Sequence, residues 1–150
     1  MVRLFLDLHV AWEGPQPSRR RLVRFARAAV ADMDGAVRVG MRIVGAHEGA
    51  GLNRQYRHKN HPTNVLSFPY DTYGGRTRFL GDLAICGPVV DSEAQAAGIP
   101  AEAHWAHMVI HGIMHLRGYD HVDDEGAAVM ERLESQVLKS LGFPDPYHEL

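Results

Sequence analysis

The sequence predicts an α+β fold, a small mixed β-sheet packed with several helices. Three observations carry that expectation. The predicted elements run strand, helix, strand, helix, strand, strand and then a series of helices, which is the order of a layered α+β domain. The segment "AVRVGMRIVG" alternates Val37, Val39, Met41 and Ile43 against Arg38, Gly40 and Arg42, the period of a half-buried strand. A length of 150 residues without internal repeat, low-complexity tract or linker points to a single domain over 1–150.

In chain order, Val2 to Val10 alternates as a first strand, and "EGPQPS" breaks it with two prolines. Ser18 is placed to cap a helix with apolar positions Leu22, Ala26, Ala29, Val30 and Met33, closed by Gly35. Arg19, Arg20, Arg21, Arg24 and Arg27 fall mostly off that stripe and form an exposed basic face. After the alternating strand, Leu52 and Tyr56 stand four apart in a short helix over about 48–56. "RHKNHPTN" reads as a polar loop into the strand "VLSF", which Pro69 should stop. "YDTYGGRTR" then reads as a hairpin connection to "FLGDLAIC". Pro88 and Gly98 bracket one helix, and Pro100 opens the next, which runs to about Leu116 with Gly118 in its C-terminal turn. Asp123, Asp124 and Glu125 put negative charge at the start of a last helix, whose packing positions are Met130, Leu133, Val137 and Leu141 and whose end is Gly142.

A hydrophobic fraction of 45% and a charged fraction of 23% are those of a soluble globular protein and exclude a disordered chain. The opening "MVRLFLDLHV" is too short and too polar at Asp7 for a secretory leader, and no run approaches the length of a membrane span. Cys86 is the single cysteine, so no intrachain disulfide can form; the cytoplasm is the expected compartment. The net charge of −2 conceals an asymmetry: residues 1–60 hold 11 Lys/Arg against 5 Asp/Glu, and residues 61–150 hold 5 against 13. Such a basic half is either a footprint for a polyanion or a set of solvated helix faces.

Five of the ten histidines fall between 104 and 121, and "HGIMHLRGYDH" spaces three of them as H-x3-H-x5-H. His111 and His115 lie one turn apart on a helix face, and Gly118 lets the chain swing back to deliver His121. Three imidazoles with a fourth position open to water is the catalytic pattern for one Zn²⁺ ion, so a zincin-like three-histidine site is expected on the penultimate helix. His104 and His107 share the face; they can line the cleft or orient ligands and are not expected to bind the ion directly. Asp120 either accepts a hydrogen bond from a ligand imidazole or caps the turn. Met130 is read as core. The spacing matches the long metalloprotease signature HExxHxxGxxH, but Gly112 replaces the glutamate that serves there as proton-transfer base. Peptide hydrolysis would therefore need a base from elsewhere. Zn²⁺ can by itself bring bound water to a pKa of about 7, which leaves the substrate's developing charge to be stabilised. Arg54, Arg57, His58 and Lys59 precede the third strand, and an arginine fork suits phosphate oxygens.

The blocks "LNRQYRHKNHPTNVLSFP", "LGDLAIC", "HGIMHLRGYDH" and "LGFPDPY" resemble, in the same order, those of the YbeY family of bacterial rRNA maturation endoribonucleases. The resemblance covers about residue 50 to the C-terminus, and its histidine block is the most specific part. It implies a single-domain α+β fold with zinc on His111, His115 and His121, and single-strand-specific RNA cleavage in 16S rRNA 3′-end maturation and ribosome quality control. Arg57 matches the family's functional arginine, so Arg57 and His111 are the expected catalytic residues. Asn60 stands where the family often has aspartate, so no carboxylate role carries over to that position. Expected partners are the small-subunit rRNA precursor and the ribosome, with a small-subunit ribosomal protein or a ribosome-assembly GTPase as further candidates, and no membrane. The alternatives are a metalloprotease of zincin type and a non-catalytic, zinc-stabilised ribosome assembly factor.

Overall fold

A computed structural model describes residues 1–120 and 122–147. Four strands, β1 (Val2–Val10), β2 (Gly35–Val44), β3 (Val65–Gly74) and β4 (Thr77–Cys86), form one sheet in the order β1-β2-β4-β3. β1, β2 and β4 run parallel to one another, and β3 pairs antiparallel with β4 at the edge. Parallel neighbours need crossovers. Helix α1 (Arg19–Ala29) supplies one between β1 and β2, whereas β2 reaches β4 through α2 (Ala46–Arg57) and β3. Helices α3 (Gly87–Ala97), α4 (Ala101–Leu116) and α5 (Asp124–Ser140) complete the mixed α+β architecture that the element order predicts.

The period-two reading of β2 holds residue by residue. Val37, Val39, Met41 and Ile43 are buried, while Arg38, Gly40 and Arg42 lie on the more open face. They belong to one core with α4, whose Trp105, Ala106, Val109, Ile110, Ile113 and Met114 are buried together. Each fully buried residue of Val to Met size stabilises the fold by roughly 1.5–3 kcal/mol. Such burial holds α4 rigidly, and α1, α3, α5, β3 and β4 all pack against it. Trp105 anchors α4 to α3 as well, since its Nε1 donates to Asp91 Oδ1 at 2.8 Å.

The caps read at Ser18 and Gly98 hold, and the acidic start of α5 proves to include a cap, Asp123. Ser18 Oγ accepts from Arg21 N, Asp123 Oδ1 accepts from Gly126 N, and Gly98 closes α3 in the left-handed region. The arginines of α1 are exposed as expected.

Two element boundaries differ from the sequence reading. Helix α1 ends at Ala29 rather than continuing to Gly35, because Arg117 Nη1 reaches across to take the Ala29 carbonyl at 2.8 Å and pairs with Asp32 in the following turn. A helix-end carbonyl with that partner has no need of a further turn. Strand β3 does not stop at Pro69 but runs on to Gly74, so the hairpin connection shrinks from "YDTYGGRTR" to a turn at 75–76. Proline is tolerated there because β3 is an edge strand and its register shifts between Pro69 and Thr72. Opposite Pro69, Gly81 has φ 145°, and a Cβ on it would collide with the Phe68 carbonyl oxygen. The glycine of "LGDLAIC" is thus what lets β3 and β4 approach at this bulge.

Candidate active site

Helix α4 carries His104, His107, His111 and His115 along one edge of its otherwise apolar surface. His111 Nε2 and His115 Nε2 stand 3.2 Å apart, with ring centroids 4.7 Å apart. Two nitrogens each about 2.0–2.1 Å from one tetrahedral ion would be separated by roughly 3.3 Å, so this pair can hold a divalent cation without rearrangement. Gly118, at φ 97°, turns the chain out of the helix after the histidines. His121, the third expected ligand, lies outside the described residues. Among the described residues no group of three or more His, Cys, Asp or Glu is arranged to hold a metal ion.

The remaining polar residues of the motif fall into place from their partners. Asp120 Oδ1 accepts from Val122 N at 2.6 Å, so the turn-capping role is the one the structure shows. Met130 is buried, as a core residue. His104 is directed to α3, where its Nε2 lies 3.0 Å from Glu93 Oε1, and Asn64 Nδ2 donates to the same carboxylate. His107 and His111 instead meet a carboxylate from α5 that sequence reasoning did not single out. Glu134 is 1% exposed; its Oε1 accepts from His111 Nδ1 at 2.7 Å and lies 3.2 Å from His107 Nε2. Burial would raise its carboxyl pKa, but the hydrogen bonds and charges of His107 and His111 outweigh that and hold it at about 2. Tyr147 donates its hydroxyl to Glu134 Oε2 at 3.0 Å, and burial together with that carboxylate pushes the phenol well above its ordinary value. A sequence signal existed: Glu134 is four residues from both Met130 and Leu138, two buried residues of α5, so it occupies a core position.

In front of the histidine pair lies a cleft of about 570 Å³, lined by residues 63–69 and by Tyr56, Arg57, His111 and His115. Arg57 is the last residue of α2, where cationic side chains suit the helix C-terminus, and His58 follows in the left-handed region at φ 59°. Arg38, Arg42, Arg78 and Arg117 are each tied to a carboxylate. Arg57 is exposed at the cleft and makes no ion pair among the described residues. Of the basic cluster 54–59, Arg57 is the member that lines this cleft, and none of the α1 arginines does. The wall behind it is fixed by Ser67, whose Oγ donates to the Gly112 carbonyl at 3.2 Å, and by Tyr56 packed edge-on against Phe68. Asn53, buried in α2, donates through Nδ2 to the His61 carbonyl at 2.6 Å and holds the loop between α2 and β3.

Two imidazoles and one arginine at a shared cleft suit hydrolysis at a phosphate. The family model described as endoribonuclease YbeY matches residues 16–142. The chain belongs to that family. Family membership makes it an endoribonuclease, a hydrolase acting on RNA. A protein named endoribonuclease YbeY from Pseudomonas syringae pv. tomato is 48% identical over 146 residues, covering 96% of this chain and 88% of its own. A second with the same name, from Pseudomonas savastanoi pv. phaseolicola, is 47% identical over 148 residues, covering 97% and 89%. The solution structure of a Thermotoga maritima protein superposes with a TM-score of 0.59 at 25% identity, covering 97% of this chain and all of that one.

Proposed function

We propose that the chain is a zinc-dependent, single-strand-specific endoribonuclease that hydrolyses RNA phosphodiesters in 16S rRNA 3′-end maturation and ribosome quality control. The observation that carries this reading is one cleft lined by both the His111/His115 pair and the Arg57 guanidinium. His111 and His115, with His121 as third ligand, would hold one Zn²⁺ ion, which supplies Lewis acidity and water of lowered pKa. Arg57 binds the scissile phosphate through its planar fork and stabilises the charge that grows on the phosphorus oxygens. Arg57, His111 and His115 line the same cleft, and Tyr56 and Phe68, packed edge-on against each other, line it with them. Gly112 offers no carboxylate, so no proton-transfer step passes through that position.

The activity belongs to one domain over 1–150 acting in the cytoplasm on the small-subunit rRNA precursor within the ribosome, with a small-subunit ribosomal protein or a ribosome-assembly GTPase as helper. Among the described residues no helix is long and apolar enough to cross a membrane. The test is cleavage of precursor rRNA by zinc-loaded protein beside folded His111→Ala and Arg57→Ala variants, with and without chelator. Cleavage lost in both variants and on chelation is the expected result. Equal residual cleavage in wild type and both variants overturns the assignment. End-group analysis of the products shows whether water or the ribose 2′-hydroxyl attacks.

A further inference from the structure

Glu134 belongs to neither the histidine motif nor the cleft wall, yet it is the side chain that the histidines contact from behind. Met130 and Leu138, one turn to either side of it, are buried, so Glu134 enters the α4–α5 interface among apolar neighbours. A carboxylate so placed is retained only where its oxygens are satisfied. Oε1 accepts from His111 Nδ1 at 2.7 Å and meets His107 Nε2 at 3.2 Å, while Oε2 accepts from the Tyr147 hydroxyl at 3.0 Å. Tyr147 also approaches His107 Nε2 at 3.0 Å, so four residues close into one network. An ionised carboxylate is acceptor-only, which places the His111 proton on Nδ1 and leaves Nε2 with its lone pair. That Nε2 is the atom beside His115 Nε2.

We propose that Glu134 is the positioning residue of the metal centre: by accepting the Nδ1 proton of His111 it fixes the tautomer and ring orientation that aim Nε2 at the cation, and Tyr147 holds the carboxylate in turn. This inference rests on the zinc reading above. A carboxylate behind a ligand imidazole raises its basicity and removes its rotational freedom, and loss of such a partner lowers metal affinity about 10–100-fold. Glu134 itself touches neither cation nor substrate.

The experiment compares wild type with Glu134→Leu, Glu134→Gln and Tyr147→Phe. Zinc affinity is read by competition with a chromophoric chelator, and histidine tautomers in the metal-free protein by long-range ¹H–¹⁵N spectra, with near-ultraviolet circular dichroism as the fold check. Wild type should show His111 as the Nδ1–H tautomer. Glu134→Leu should lose that tautomer preference and bind zinc about 10–100-fold more weakly. Glu134→Gln, which keeps an acceptor oxygen, should retain the tautomer with a smaller loss, and Tyr147→Phe should remain folded with a similar partial loss. Should Glu134→Leu fail to fold, the Gln and Phe variants decide. Wild-type His111 in the Nε2–H form, or a folded Leu variant with unchanged tautomer and affinity, overturns the proposal. Wild type that binds no zinc defeats the zinc reading, while the tautomer measurement still decides the role of Glu134.

Discussion

A Cβ placed on Gly112 would stand 2.8 Å from Leu83 Cδ2, and 3.1 Å from Val65 Cγ2. The position next to His111 therefore faces the sheet at β3 and β4. A glutamate there would be driven against the side chains of Val65 on β3 and Leu83 on β4. Gly112→Glu is expected to destabilise the protein by more than about 4 kcal/mol, because it combines overpacking with an unpaired buried charge. Soluble yield and thermal melting check this. A folded Gly112→Glu protein that cleaves peptides would show that the glycine is simply a protease base lost by substitution.

Arg57 is exposed at the end of α2, so its contribution should be to turnover rather than to folding. Arg57→Ala should lower kcat by about 10²–10³-fold, the usual cost of removing one donor to a developing oxyanion. Arg57→Lys should recover only part of it, since a point charge lacks the fork that binds two oxygens at once. Steady-state cleavage of a single-stranded RNA oligonucleotide at saturating zinc gives both values, and an Arg57→Lys variant with full activity would reduce the role to bulk charge.

The link from Asn53 to the His61 carbonyl spans α2 and the loop that leads to the cleft wall. Asn53→Ala should cost about 0.5–1.5 kcal/mol, the net worth of one hydrogen bond. Faster amide exchange over residues 58–64 and a raised KM for RNA should accompany the loss. Protection in that loop equal to wild type would mean that other contacts hold it.

Stability at low pH should depend in part on Asp32. The hydrogen bonds from Arg117 hold its carboxyl below the ordinary value, against a smaller opposing effect of burial. A depressed folded-state pKa contributes stability that is present above the unfolded value of about 3.9 and fades as pH falls through the folded one. Because Asp32 is largely solvent-facing, the contribution should be below about 1 kcal/mol. Melting temperatures of wild type and Asp32→Asn should differ by a constant amount from pH 7 to 5 and converge below about pH 4. A gap that persists at pH 2.5 would assign the effect to the Asp32 backbone turn instead of its charge.

Local chemistry made much of this legible in the sequence. Period-two alternation placed β2, a capping serine placed the start of α1, acidic charge placed the start of α5, and four-residue spacing put His111 and His115 on one face. Arg57 was legible through its resemblance to a family block, and the fold explains why it belongs with histidines more than 50 positions away. Glu134 was overlooked because charge on a helix ordinarily marks its solvent side, and only the Met130 and Leu138 neighbours reveal the inward face. Pro69 misled because a proline stops a central strand, whereas whether β3 is central or edge depends on long-range pairing. The early end of α1 depends on Arg117, a residue 88 positions from the carbonyl it takes. Neither fact has a local signature.

The edge position of β3 has a bearing on self-association. An edge strand normally offers a row of unpaired amides and carbonyls on which a second chain can add a strand. Along β3 that row is interrupted at Pro69, which has no amide proton, and bent where the register shifts before Thr72. The rim of the cleft is thereby a poor template for sheet extension, and crowding by other copies of the chain should leave it open to a nucleic-acid strand.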